Sequence, residues 1–262
     1  MTGAARARLV SPTIVIASLA VGALGWEIAG RLKVSTVFPP LSDVLSTAFV
    51  VAESQGFADA VSYSATTFLI AMPLSLAAGL IVGILMGTFR WVEWALDVWV
   101  NAFLSLPLLA LIPVIILLFG IGREASVVVV FLSTFFPVAV NAAAGVRAIT
   151  SQYEEMARSF GSGRLHRLMR ITLPGSLPLM LTGIRIATGR AVRGVIYAEI
   201  VMGIVGVGGL LRGYGQAFRI SETWALIIFL AIVGLASMEF VRVIEDRLLR
   251  AFPQGKTIDA QA

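Results

Sequence analysis

Apolar positions in this chain come in long runs rather than in stripes. Six stretches of about 20 or more mostly apolar residues, 9–28, 63–89, 94–119, 125–148, 177–201 and 223–244, are separated by polar or glycine-rich segments. At about 1.5 Å rise per residue each is long enough to cross a hydrocarbon layer, so the pattern predicts an all-α integral membrane protein with six transmembrane helices. The first run follows Arg6 and Arg8 and has the flanks of a signal peptide, but its length and the runs that follow favour an uncleaved first helix. Outside the runs, Ser42 is expected to N-cap a short helix from Asp43 to about Glu53. Val44, Leu45, Ala48 and Phe49 share one face of it, which suits either a membrane surface or a packed connection. Pro73, Pro107, Pro113 and Pro137 fall inside runs and are expected to kink their helices. One polytopic transmembrane domain over 1–262 is expected, with a disordered tail over 253–262.

Composition sharpens the picture. Of 262 residues, 58% are hydrophobic and 13% charged, and the mean hydropathy is +0.92, which argues against a soluble enzyme or a disordered chain. There is no cysteine and one histidine, His166, so thiolate chemistry and a multi-histidine metal site are excluded. The net charge of +5 reads as orientation rather than nucleic-acid binding. With both termini cytoplasmic, twelve lysines and arginines lie inside and five outside, so the distribution predicts N-in, C-in.

Three groups of residues are candidates for function. The loop between the fourth and fifth runs contains Glu154, Glu155, Met156, Ala157, Phe160, Gly161, Arg164 and Pro174. It reads as a short helix, a glycine turn and a second, basic amphipathic stretch ending at the proline. Its apolar residues suit either docking onto a partner or packing against the chain's own helix ends. In the fifth run, Arg185, Arg190 and Arg193 occupy an arc of about 140°. Charges at membrane depth must face protein or water. They therefore line a pathway for an anion, or pair with Glu199, Glu239 or Glu27 of another helix. Gly206, Gly208 and Gly209 belong to a glycine-rich loop over 203–215, read either as a flexible outer gate or as a plain connection. Gly255-Lys256-Thr257 resembles the end of a phosphate-binding loop, but Arg250 stands where the required first glycine would be. His166 is expected to be solvated, and Asn141, Ser133 and Thr134 to bond between helices.

The cytoplasmic loop also carries a resemblance. Glu155-Met156-Ala157, Gly161, Ile171 and Leu173-Pro174 stand at the spacing of the EAA loop of ABC-importer permeases, with Met156 in place of the first alanine. Phe38-Pro39-Pro40-Leu41-Ser42, Ser64-Ala65-Thr66, residues 107–113 and 119–122, Phe136-Pro137, Asn141 and 182–199 are similar to the nitrate/sulfonate/taurine-type branch. The resemblance covers about 37–249. It implies the permease subunit of an ATP-driven importer in the plasma (inner) membrane, in which a cytoplasmic coupling helix docks into an ATPase subunit. It further implies a pair of ATP-binding subunits, a second and expectedly identical permease subunit, and an extracytoplasmic solute-binding protein. ATP and Mg would belong to the partner, with no cofactor in this chain and no nucleic acid bound. Candidate cargoes are sulfonate, taurine, nitrate, or a pyrimidine or flavin precursor. The competing reading is an ion-coupled secondary transporter, with Glu199 or Glu239 as the coupling acid.

Overall fold

A computed structural model describes residues 12–149, 153, 156–157, 159–203 and 206–251. Among them every regular element is helical: α1 (Pro12–Arg31), α2 (Leu41–Ala52), α3 (Gln55–Thr88), α4 (Arg90–Ser105), α5 (Leu108–Phe119), α6 (Arg123–Ala148), α7 (Arg164–Arg167), a π-helical turn (Leu168–Thr172), α8 (Leu173–Met202), α9 (Val207–Gln216) and α10 (Ile220–Ala251). Four stretches are long and apolar enough by themselves to cross a membrane: Ile14–Arg31, Gln55–Thr88, Arg123–Ala148 and Ile220–Arg250. Counting α4 with α5, and Leu165–Met202 with Val207–Gln216, raises the number to six.

The stretch expected as one span over 94–119 is two helices meeting at 105°. The cause is local. Leu106 precedes Pro107 and is held extended (φ −73°, ψ 133°), because the proline ring excludes the helical region for its neighbour. Apolar residues on both sides hide this break from a hydropathy reading.

The chain forms two compact units. One contains the described residues up to Ala58 together with Leu211–Phe229. In it Trp26, Phe38 and Trp224 pack with ring centroids 5.0–5.6 Å apart. The indole of Trp26 donates to the Pro39 carbonyl and that of Trp224 to the Val37 carbonyl, each at 3.0 Å. α2 begins at Leu41 with Pro40 as its cap residue, two residues earlier than capping by Ser42 would place it. The capping oxygens come from Glu27 of α1, which accepts from the Ser42 amide and hydroxyl at 3.0 Å each. A carboxylate from a preceding helix thus does the work expected of a local serine.

The other unit, Asp59–Leu210 with the residues from Leu230 on, holds the main apolar core. α6 and α8 run against one another along most of their lengths. Ala187, Ala191, Val195 and Ala198 are buried on the α8 side. Contact is close because the residues are small. A side chain at Gly183 would meet Asn141 Cβ at 2.6 Å, and one at Gly194 would meet Ser133 Oγ at 2.8 Å. The other side of α6 receives Gly79, Gly83 and Gly87 of α3, spaced four apart, where any Cβ would strike α6 at Val138, Ala142 or Val146. Ser133, Thr134 and Asn141 donate chiefly within α6, to Val130 and Pro137 carbonyls at 2.7–2.8 Å, rather than between helices as expected.

Candidate functional site

The buried and exposed faces of α8 differ in chemistry. Opposite its small-residue face, Ile186, Arg190, Arg193, Tyr197 and Val201 are exposed at helical spacing. Arg190, Arg193 and Tyr197 open into a cavity of about 270 Å³ that Phe103 of α4, Leu108 of α5, and Ser133 and Phe136 of α6 also line. The α4–α5 break contributes Leu106 to the same wall, so the proline that bends the chain also shapes the cavity. Phe103 and Phe136 stack at 4.9 Å with planes 8° apart. Arg193 Nε donates to the Gly189 carbonyl at 3.1 Å, which fixes the guanidinium along its own helix. Neither Arg190 nor Arg193 has an ion-pair partner among the described residues.

Arg185 stands apart from this pair. Its guanidinium lies 3.4 Å from Glu245 of α10, a carboxylate that is 8% exposed. The three arginines considered together from sequence therefore divide into one ion-paired residue and two that face a cavity. Glu239 pairs instead with Arg242, and Glu27 with Arg31, each within its own helix.

Glu199 is fully buried, and among the described residues it forms no ion pair with Arg185, Arg190 or Arg193. The Ser64 hydroxyl of α3 lies 2.7 and 2.9 Å from its two carboxyl oxygens, and the Gly208 amide donates to it at 2.8 Å. Ser64 Oγ in turn accepts from the Val207 amide at 3.0 Å. This network closes the first turn of α9, where backbone amides point outward without helical acceptors. The segment expected as a loop over 203–215 is thus helical from Val207, with Gly208 and Gly209 in its first turn. Glycine is required here for space. Gly206 has φ +140° and a Cβ there would overlap the Glu199 carboxyl group, while one at Gly208 would meet Ile196 O at 2.7 Å. Next to Ser64, the Arg123 guanidinium lies 4.6 Å from the Tyr63 ring centre. Ser64 and Arg123 had no assigned role in the sequence reading, although Ser64-Ala65-Thr66 was among the segments that carry the family resemblance.

In the segment between α6 and α7, Glu154 and Glu155 lie outside the described residues, as do Arg158, the termini with Arg6, Arg8 and Lys256, and the tail from Pro253. Met156 and Phe160 are exposed, Phe160 to 84%, while Ala157 is buried. Gly161 adopts φ +73° and closes the turn, with the Ser162 amide donating to the Ala157 carbonyl at 3.0 Å. Leu165, His166 and Met169 are exposed in the following stretch. Helical backbone then runs without interruption from Arg164 to Met202, through the π turn and Pro174. Pro174 does not end the helix as expected. It lies at the start of α8 directly after the π turn, in which the Leu173 amide reaches back five residues to the Leu168 carbonyl. Among the described residues no group of three or more His, Asp or Glu is arranged to hold a metal ion.

Comparison with known proteins gives a consistent result. The family described as "Binding-protein-dependent transport system inner membrane component" matches residues 75–250. The taurine transport system permease protein TauC of Escherichia coli is 31% identical over 243 residues, 90% of this chain and 88% of its own. The putative aliphatic sulfonates transport permease protein SsuC of Bacillus subtilis is 31% identical over 248 residues, 92% and 86%. The bicarbonate transport system permease protein CmpB of Synechococcus elongatus is 34% identical over 184 residues, 69% and 66%. Among solved structures, a bacterial ABC transporter involved in alginate import aligns with a TM-score of 0.64 at 15% identity, over 91% of this chain and 94% of that one. The MetNI methionine ABC transporter aligns at 0.60 and 20% identity, over 74% and 94%.

Proposed function

Since the chain belongs to the binding-protein-dependent transport system inner membrane components, and is a permease subunit of an ABC importer, we propose that it conducts a small anion past Arg190 and Arg193. The observation that carries this reading is two cations on one helix face, opening into a cavity and without a carboxylate partner among the described residues. Uncompensated positive charge at membrane depth is costly, and a transient anionic ligand relieves it. Relatives named for aliphatic sulfonates, bicarbonate and nitrate support an anionic cargo.

The rest of the assembly follows from the same reading. We assign the exposed apolar residues around Gly161, Met156, Phe160, Leu165 and Met169, to docking on a separate ATPase subunit that holds ATP and Mg, with Glu154, Glu155, Ala157, Arg164 and Pro174 of the motif alongside. Two copies of the permease domain are proposed to form the pathway in the plasma membrane, each with six spans and both termini cytoplasmic, supplied by an extracytoplasmic solute-binding protein. Arg185 is kept out of the pathway by its pairing with Glu245. Glu199, with Gly206, Gly208 and Gly209, is proposed to latch α9 as an outer gate, a role supported by its bonds to Ser64 and Gly208. An ion-coupled transporter has no place for this family membership.

The test is uptake of labelled taurine, ethanesulfonate and nitrate by proteoliposomes holding the full transporter with its binding protein. Arg190→Gln and Arg193→Gln are expected to lower uptake of the transported anion about tenfold at unchanged permease insertion. Arg185→Gln is expected to act mainly on thermal stability. Uptake by the Arg190 and Arg193 variants equal to the parent would remove the pathway assignment.

A further inference from the structure

The lining of the cavity beside α8 divides by chemistry into cationic or hydroxylic groups and apolar ones. Arg190, Arg193 and Tyr197 stand at i, i+3 and i+7, which places two guanidinium groups and a phenol along one edge of α8. The apolar lining includes the stacked pair Phe103 and Phe136 with Leu132 and Leu111. Ser133 also lines the cavity, and its hydroxyl proton is already given to the Val130 carbonyl at 2.7 Å. The side chains with protons to offer a ligand are therefore those of Arg190, Arg193 and Tyr197, and no carboxylate lines the cavity.

We infer that this cavity binds an organic monoanion, with a sulfonate or carboxylate head on Arg190 and Arg193 and a short uncharged tail against Phe103 and Phe136, in preference to an inorganic oxyanion or a zwitterion. The inference rests on the pathway reading above and narrows its substrate class. Size argues first. A cavity of roughly 150 Å³ accommodates benzene, whereas this one measures about 270 Å³. Nitrate or bicarbonate would engage the arginines alone and leave water against the aromatic lining, so most of the available apolar burial would go unused. An alkyl or aryl tail displaces that water. Polarity argues second. An ammonium group on the far end of the tail would be stripped of water next to phenylalanine and leucine side chains, with no carboxylate to receive it. The head group fits for the converse reason, since guanidinium groups match planar or trigonal oxyanion edges with paired donors.

The measurement is equilibrium binding to the permease–ATPase complex in lipid nanodiscs, without the binding protein, so that the permease's own preference is read. The probes are methanesulfonate, ethanesulfonate, butanesulfonate and taurine, followed by saturation-transfer NMR with signal from empty nanodiscs of the same lipid subtracted, and nitrate, which has no protons, is read through its displacement of bound butanesulfonate. Affinity is expected to rise about fourfold for each added methylene from methane- to butanesulfonate, the factor that accompanies burial of one such group. Taurine is expected to bind more weakly than ethanesulfonate, its amine-free counterpart, and nitrate more weakly than butanesulfonate. Arg193→Gln should weaken every sulfonate about tenfold or more, and Phe103→Trp should cut the gain from the longer tails by filling the space they use. The sulfonate series needs no variant, so misfolding of a substituted chain does not obscure it. A flat series, or nitrate or taurine binding as tightly as butanesulfonate, would overturn the inference. If uptake by the Arg190 and Arg193 variants is still impaired in that case, the anion pathway stands and only its substrate class falls. If their uptake matches the parent, the pathway itself falls.

Discussion

Glu199 illustrates how much one buried side chain can hold. Its carboxyl group is the acceptor for a hydroxyl from α3 and for an amide in the first turn of α9, and the Ser64 oxygen beside it takes a second amide. Removing it leaves a half-buried hydroxyl and a buried amide without acceptors, at a cost of about 1–3 kcal/mol for the buried amide and less for the hydroxyl. Glu199→Ala is therefore expected to lower the thermal unfolding midpoint of the solubilised complex by several degrees. Glu199→Gln keeps an acceptor oxygen and the side-chain volume, so its midpoint should fall less. Equal midpoints for the two variants would show that the hydrogen bonds contribute nothing beyond packing. None of these partners was readable beforehand, because Ser64 is 135 positions from Glu199 and only the folded chain brings them within 3 Å. The glutamate was legible as an unusual charge near the end of an apolar run. Its occupation was not.

At the scale of the element, the apolar runs were readable because length and hydropathy act over twenty residues and tolerate local errors. The helices match five of the six expected runs to within several residues at most ends, with α3, α8 and α10 extending further. What escaped were features decided by one or two residues. Pro107 turns a continuous apolar run into two helices, whereas Pro73, Pro113, Pro137 and Pro178 remain inside theirs. Proline identity alone does not separate these cases. At Gly161 the outcome was legible, since the turn between two short amphipathic stretches requires a left-handed residue, and φ is +73°. Proline is confined to φ near −65° and cannot close this turn. Gly161→Pro is expected to abolish substrate-stimulated ATP hydrolysis while membrane insertion of the permease persists. Stimulation equal to that of the parent would separate this turn from coupling.

For the whole molecule, the distribution of arginine and lysine is the feature of the sequence that predicts an orientation, and the prediction yields a direct measurement. The native chain contains no cysteine, so single cysteines report position without background. Glu53 and Gly163 are both exposed, the first just past α2 and the second just before α7. Glu53→Cys is expected to react with a membrane-impermeant maleimide added outside intact cells, and Gly163→Cys only after the membrane is opened. Labelling of both from the same side would invalidate the N-in, C-in arrangement. The arginine cavity was half legible at this scale. Its cations were visible in the sequence, but the aromatic wall from α4 and α6 needed the fold.

The π turn at Leu168–Thr172 stores a residue. Helical backbone from Arg164 to Arg190 runs for about 40 Å, from just past the turn at Gly161 to the cavity. A π turn takes one residue more to circle the axis than the α-helical turn it replaces, and the Leu173 amide accordingly reaches back five residues instead of four. Which compass direction Leu165 and Met169 face, relative to Arg190 and Arg193, thus depends on how this one turn is wound. Rewinding the same residues as plain α-helix would rotate one end by about 100° against the other, whereas deleting one residue would leave their facing nearly as it is.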